Sequence, residues 1–359
     1  MSDSNSSNET GRIPITSFPR TLTEARSIEE MLLHVLDEAA GEATISKFQA
    51  LSVSENRYEL GAWIADGGMG KLYAAVDTVL GRQVAIKVLK QEFWHDSAAL
   101  LRFLQEARIH SQFHHRGIPP LHDIGRFKDG KPFLAMKHIR ARTLTAVLPD
   151  YAKDGRELEC LPFFVQVCEA VGYAHSKGVI HRDLTPNNVL VSAKGRVHVI
   201  DWGLAKVITP QRGDSADGEP QHDTTQMTVP NLSRTAEGLA IGTPAYMAPE
   251  QALGAVDGTV QIYVFGLGGI LCFLLTGTPP FEGKLTTVMK STRKGDLAPA
   301  YARLDRCKAP KPLRALAKAC LSPDLAVRPK HVAAVVDQLA KTDLDEAPRR
   351  SWWGKLTGG

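Results

Sequence analysis

The sequence predicts an α+β protein, and three observations carry that prediction. Short β-prone segments separated by glycine-containing turns follow one another from about residue 57. Beyond residue 139 the strand signals give way to helical periodicity and long loops. Hydrophobic residues make up 43% of the 359 positions and charged residues 23%, a balance that fills a core and excludes disorder throughout. At roughly 100–200 residues per domain, that length corresponds to two or three structural units.

Residues 1–26 are rich in Ser, Thr and Asn and read as disordered or loosely attached. Ser27 followed by Glu30 is a capping-box pattern. Ile28, Met31, Leu32, Val35, Leu36 and Ala39 then share one apolar face, which predicts an amphipathic helix at about 28–40 packed on the neighbouring domain, with a dimerisation or partner-docking helix as the alternative. Strands are expected at Tyr58–Ile64, Lys71–Asp77 and Gln83–Leu89, divided by Asp66-Gly67-Gly68 and Leu80-Gly81-Arg82. A helix over about Ser97–Phe113 and strands near Leu121–Phe127 and Pro132–Ile139 follow.

Within the helical remainder, Ile262–Leu275 is an apolar run holding three glycines. It is shorter than the ~18–20 residues of a membrane span, so it reads as a buried helix. Thr209–Glu237 is almost wholly polar. A loop that long inside a domain is functional or disordered. Arg349-Arg350-Ser351-Trp352-Trp353 near the end is basic, then aromatic, and reads as a solvated tail rather than a membrane contact.

Several function classes drop out. A formal net charge of +4 is too weak to argue for nucleic acid. The five cysteines are odd in number and lack C-x-x-C spacing, which disfavours a disulfide framework or a zinc site. Met1–Gly11 carries no apolar signal-peptide core, so the expected compartment is the cytoplasm, with no membrane span.

The chemistry-bearing residues begin at Gly67, Gly68 and Gly70. Glycines there allow backbone N–H groups to approach a phosphate, and they equally suit a plain β-turn. Lys87 ends the apolar segment Val84-Ala85-Ile86. A buried ammonium needs an anion, and Glu106 is a candidate partner; a lysine snorkelling to solvent is the alternative. His181-Arg182-Asp183-Leu184-Thr185-Pro186-Asn187-Asn188 and Asp201-Trp202-Gly203 then supply a base and hard oxygen ligands suited to Mg²⁺. Ala248-Pro249-Glu250 follows at a distance.

With these motifs, and with Gly242-Thr243-Pro244-Ala245-Tyr246-Met247, the chain resembles the eukaryotic-type (Hanks-type) serine/threonine protein kinases of bacteria, in a variant with Asp-Trp-Gly where most members have Asp-Phe-Gly. The resemblance implies a two-lobed protein kinase domain over 57–342, with a small five-stranded β-lobe at about 57–138 and a larger helical lobe at about 139–342. Residues 1–56 would be an extension and 343–359 a tail.

On this resemblance ATP binds between the lobes. Ile64, Ala65, Asp66, Gly67, Gly68, Met69, Gly70, Lys71 and Leu72 cover its phosphates. Lys87 holds the α- and β-phosphates and pairs with Glu106. Ala85 and Met136 border the adenine, and Lys137 and His138 form the hinge. Asp183 orients the substrate hydroxyl, and Asn188 and Asp201 hold Mg²⁺, or Mn²⁺ in its place. Glu250 and Arg328 brace the large lobe. Protein substrates, and self-association for autophosphorylation in trans, are the implied partners. Serine/threonine specificity rests on Pro186 and the segment Gly242–Tyr246.

Three positions depart from the family pattern. Ala65 replaces the first glycine, which is tolerable if its φ stays negative. Thr185 replaces a lysine that contacts the transferring phosphate, so a cation is missing where charge develops, and Thr243 loses its usual partner. Gln261 replaces an aspartate that braces the catalytic loop, so charge-assisted strength is lost there. Two readings therefore stand: an active kinase, and a pseudokinase that binds nucleotide as a scaffold. In the polar loop, Thr224, Thr225, Thr228, Ser233 and Thr235 are candidate phosphorylation sites that would pair with Arg182. Thr235, eight residues before Thr243, is the first choice and Thr228 the second.

Overall fold

A computed structural model describes residues 38–49, 57–207, 242–254 and 261–342. Of the helix expected at about 28–40, only the last three positions fall among them. The described chain opens with α1 (Glu38–Gln49), which runs past the end of that expected helix.

Five strands follow as β1 (Tyr58–Asp66), β2 (Gly70–Asp77), β3 (Arg82–Leu89), β4 (Leu121–Arg126) and β5 (Pro132–Lys137), with helix α2 (Ser97–Ser111) inserted after β3. They form one antiparallel sheet in the order β1-β2-β3-β5-β4. The two-residue period of β3 sorts its side chains. Val84, Ile86 and Val88 join Tyr58, Phe133 and Ala135 on one face. Ala85, Lys87 and Leu89 point to the other, where Leu89 and Leu134 meet α2. That parity places Lys87 under the helix.

α2 starts at Asp96, whose carboxylate accepts from Ala98 N (2.9 Å) and Ala99 N (3.1 Å), satisfying two orphan donors. Leu100, Phe103, Leu104 and Ala107 form its buried stripe, and Glu106 and His110 lie in the same buried surface. His110 Nε2 sits 2.5 Å from Pro119 O. Burial pushes its pKa down to about 4.

Between its ordinary value of 6.5 and that depressed one, the unfolded chain binds a proton that the native chain does not. His110 therefore contributes stability that is full above pH 6.5 and is lost as pH falls towards 4, about 2 kcal/mol of it by pH 5. Urea midpoints at pH 7 and pH 5 should show that loss in the wild type and a smaller loss in His110→Gln. Equal losses would contradict the assignment.

The remainder is mostly helical. After β6 (Ala141–Thr143) come α3 (Leu144–Ala152) and α4 (Leu161–Ser176), then β7 (Val179–Ile180), β8 (Val189–Ser192), β9 (Val197–Val199) and β10 (Lys206–Val207). The short strands pair as β6-β8-β9 and β10-β7. Helices α5 (Pro249–Ala252), α6 (Gln261–Thr276), α7 (Leu285–Lys294), α8 (Ala298–Arg306), α9 (Lys311–Cys320) and α10 (Val332–Ala340) complete it.

The apolar run is the buried helix α6, whose positions 262–275 are all buried. It is apolar all round because protein surrounds it. A Cβ at Gly268 would lie 2.7 Å from Cys320 Cβ, so the close approach of α6 and α9 needs a glycine there. No helix among the described residues is long and apolar enough to cross a membrane. The α+β expectation holds, as a five-stranded lobe and a helical lobe.

Candidate active site

The short strands of the larger lobe frame the site. β7 delivers residues 181–188 as a loop, and β9 delivers Asp201. His181 anchors the first loop from within the core. Its Nε2–H donates to Ile200 O (2.9 Å), and its Nδ1 faces Asp183 N at 3.4 Å. Burial lowers its pKa against the pull of Asp183, so the ring is held neutral. Arg182 and Asp201 both have φ of +62°, a left-handed conformation that costs a non-glycine residue on the order of 1–3 kcal/mol.

The surroundings hold both residues there. Arg182 Nε donates to Leu204 O (2.7 Å), and Gln251 Nε2 donates to Arg182 O (2.7 Å). Trp202 is 1% exposed, with its ring 4.6 Å from Phe113 and 4.5 Å from His181, and its Nε1–H donates to Val199 O (3.3 Å).

Lys87 does not snorkel. Its Nζ lies 2.7 Å from both Glu106 oxygens and 3.6 Å from Asp201 Oδ1. Burial works against the ammonium, but Glu106 and Asp201 outweigh it and its pKa is raised. Burial pushes the Glu106 carboxyl up, against the pull of Lys87. The Lys87 ammonium holds the half-exposed Asp201 carboxyl below the ordinary carboxylate range.

Asp183 accepts from Thr243 N at Oδ1 (2.8 Å) and from Asn188 Nδ2 at Oδ2 (3.2 Å), while its carbonyl accepts from the same Asn188 nitrogen (2.8 Å). An ionised carboxylate offers about four lone-pair sites, so Asp183 retains capacity for a hydroxyl.

Over these groups lies the β1–β2 turn. Gly67 N donates to Gly70 O (2.9 Å). A Cβ at Gly70 would come within 3.1 Å of Lys87 Cγ and 3.0 Å of Val88 O, so the strand lies against the lysine only because it is bare there. Ala65 pairs with Leu72, and Leu72 sits opposite Lys87. Ala65 is not among the residues of positive φ, so its methyl is accommodated. Asp66 is turned sideways onto Lys90 (2.8 Å), and Ile64 is 40% exposed. Ala85 faces Met136 across β3 and β5. Met69 and Met136 border the cluster under α2, and His138 follows directly after β5.

The protein kinase domain family matches residues 58–340. The chain belongs to the protein kinase family. It is 32% identical over 312 residues to the serine/threonine-protein kinase PknD of Protochlamydia amoebophila, covering 82% of this chain and 31% of that protein. It is 35% identical over 244 residues to the serine/threonine-protein kinase PknA of Mycobacterium tuberculosis, covering 66% and 51%. A probable serine/threonine-protein kinase PknB of Corynebacterium glutamicum is 34% identical over 238 residues, covering 65% and 33%. The chain thus spans between about a third and a half of the length of these curated relatives.

A kinase domain implies ATP and a divalent cation, and the donor set fits both. Among the described residues nothing donates to the Asn188 amide oxygen, since both its contacts run through the nitrogen. Asp201 keeps half its side chain exposed beside Lys87. Among the described residues no group of three His, Cys, Asp or Glu side chains is gathered to bind a metal alone. That suits a cation bound through a carboxylate, an amide oxygen and phosphates together.

Two of the departures are visible in the structure. Gln261 begins α6, and its amide nitrogen donates to Leu325 O (2.7 Å) and Arg328 O (3.2 Å). The catalytic loop takes its brace from Gln251, which no motif singled out beyond its place directly after Glu250. Thr243 meets Asp183 through its backbone, without help from Thr185, which is 3% exposed. The expected pair of Glu250 with Arg328 is present (2.5 and 3.2 Å). Thr224, Thr225, Thr228, Ser233 and Thr235 lie outside the described residues.

Proposed function

We propose that this chain is an ATP-dependent protein kinase that phosphorylates serine and threonine hydroxyls of proteins, its own among them. The observation that carries the reading is the Lys87–Glu106 pair at 2.7 Å with Asp201 3.6 Å from the same ammonium. Three charges drawn together in a part-buried cleft, one of them on a strained residue, are costly to keep without a charged ligand. The related serine/threonine-protein kinases support the same class.

In this reading Lys87 binds the α- and β-phosphates while Glu106 fixes its direction. Asn188 and Asp201 hold Mg²⁺, or Mn²⁺ in its place, which when bound neutralises phosphate charge. Asp183 accepts a hydrogen bond from the substrate hydroxyl and takes its proton, and Thr243 ties the substrate segment to that carboxylate. Positioning and charge neutralisation supply most of the rate. A reaction that consumes ATP places this domain in the cytoplasm, and trans-autophosphorylation brings two copies together.

The test is transfer from radiolabelled Mg-ATP to the protein itself and to a basic protein acceptor. Label on serine and threonine in the wild type and none in Asp183→Asn is expected. Nucleotide binding without transfer in both would make the chain a pseudokinase.

Two further outcomes follow from the same reading. Thr185→Lys restores a cation near the transferring group and should raise the single-turnover rate roughly tenfold to a hundredfold, about 1–3 kcal/mol. An unchanged or lower rate would show that another cation already serves. If Thr235 or Thr228 is the modified switch, activity should lag and then accelerate during preincubation with Mg-ATP, because a phosphate adds charge-assisted bonds to Arg182. Wild-type rates without a lag in the doubly substituted Thr228→Ala/Thr235→Ala protein would exclude it.

A further inference from the structure

The family match begins at Tyr58, and α1 lies wholly ahead of it. Yet α1 is built into the small lobe. Phe48 is 4% exposed and joins Leu100, Phe103, Leu104 and Ala107 of α2 in one apolar cluster. Ile45, one turn earlier on α1, packs against the same cluster. Two polar contacts reinforce the seat. Arg108 of α2 donates to Thr44 Oγ1 (3.1 Å), and Arg126 at the end of β4 donates to the Gln49 carbonyl.

These contacts converge on the helix that carries Glu106. Phe103 and Ala107 flank it in the buried stripe, and Arg108 is two residues away. α2 packs on Leu89 and Leu134 of the sheet, and α1 adds Phe48 to the same cluster. Rigid-body displacement of α2 would part Glu106 from Lys87 and leave the buried Glu106 carboxylate without its cation. Truncating Phe48 would open a cavity beside Phe103 and Leu104 and loosen that packing.

We propose that α1 is an internal clamp on α2 and that Phe48 is a positioning residue for phosphoryl transfer, acting through the placement of Glu106 against Lys87. The proposal rests on the transfer activity put forward above. It assigns to a segment outside the family match a role in setting the rate, and it makes the 38–49 helix a point at which that rate is adjustable.

The experiment compares the full-length wild type with Phe48→Ala and Phe48→Leu. It measures transfer to a protein acceptor, hydrogen exchange resolved along the chain, and global stability in urea. Phe48→Ala should lower kcat about tenfold while the KM for acceptor stays within about twofold. Exchange should rise across 99–110 while α6 and α9 stay protected, since a local loosening opens one cooperative unit and not the whole fold. Phe48→Leu, which refills most of the cavity, should recover most of the rate.

Wild-type kcat in Phe48→Ala with unchanged α2 exchange would overturn the proposal. So would exchange rising equally in both lobes, because that marks a general loss of stability. A wild type that transfers no phosphate defeats the activity reading instead, and the exchange of α2 in Phe48→Ala then decides the clamp by itself.

Discussion

Lys87→Met is expected to lower phosphoryl transfer by at least about a hundredfold to a thousandfold, the range seen when a preorganised charge-stabilising donor is removed from an active site. The geometry gives the reason. Among the described residues Lys87 is the only cation paired with Glu106, and it also faces Asp201. Methionine keeps the length of the stem and removes the charge.

The fold should survive, with an altered pH dependence. Burial already pushes the Glu106 carboxyl up, and without the ammonium that rise is unopposed. A carboxyl whose folded pKa is raised contributes stability that is full below its unfolded value and is lost as pH rises through the folded one. Lys87→Met protein should therefore lose stability relative to wild type as pH rises from 5 to 8. Single-turnover transfer and urea melts across that range check both parts. Retained transfer would remove Lys87 from the mechanism.

The second large effect falls on Arg328, far from the transferring groups. Its side chain is fully buried, and all five guanidinium N–H donors are used. Nε donates to Ser322 O (3.0 Å), Nη1 to Glu250 Oε1 (2.5 Å) and Gln261 O (2.9 Å), and Nη2 to Glu250 Oε2 (3.2 Å) and Ser322 O (2.8 Å). The group also lies 5.2 Å over the Phe265 ring.

Arg328→Met leaves the Glu250 carboxylate and two carbonyls without their donor. It should cost about 3–5 kcal/mol, the range for breaking a buried pair by removing one partner. Urea unfolding of the whole protein measures it. A loss below about 1 kcal/mol would mean that the pair is no stronger than an exposed one. Glu250 lies in α5, and the next residue of that helix, Gln251, holds the Arg182 carbonyl. Partly folded Arg328→Met protein should therefore also transfer phosphate more slowly.

Local pattern made much of this legible. The parity of β3 is written in Val84-Ala85-Ile86-Lys87, and the structure decides between a paired and a snorkelling lysine because α2 covers the face that parity selects. The apolar run at 262–275 had nowhere to go but the interior. The motif residues Asp183, Asn188 and Asp201 were placed by their order along the chain.

What local pattern missed depends on distant contacts. Nothing near Gln251 says that it reaches Arg182, since that bond spans 69 positions. Gln261 stands where the family resemblance implies a bracing aspartate, and nothing near it in sequence says that its amide nitrogen reaches Leu325 and Arg328, more than 60 positions away. α1 has only a weak apolar stripe. Phe48 is buried because α2 presents an apolar surface 50 or more positions further along.

Transfer of phosphate to protein hydroxyls leaves a mark on the chain itself. Its most direct measurement is the intact mass of the purified chain before and after incubation with Mg-ATP, followed by localisation of any added phosphate, with Asp183→Asn treated in parallel. Whole-phosphate mass increments on serine or threonine are expected in the wild type and none in Asp183→Asn. An unchanged wild-type mass, or equal phosphate on both proteins, would contradict that transfer.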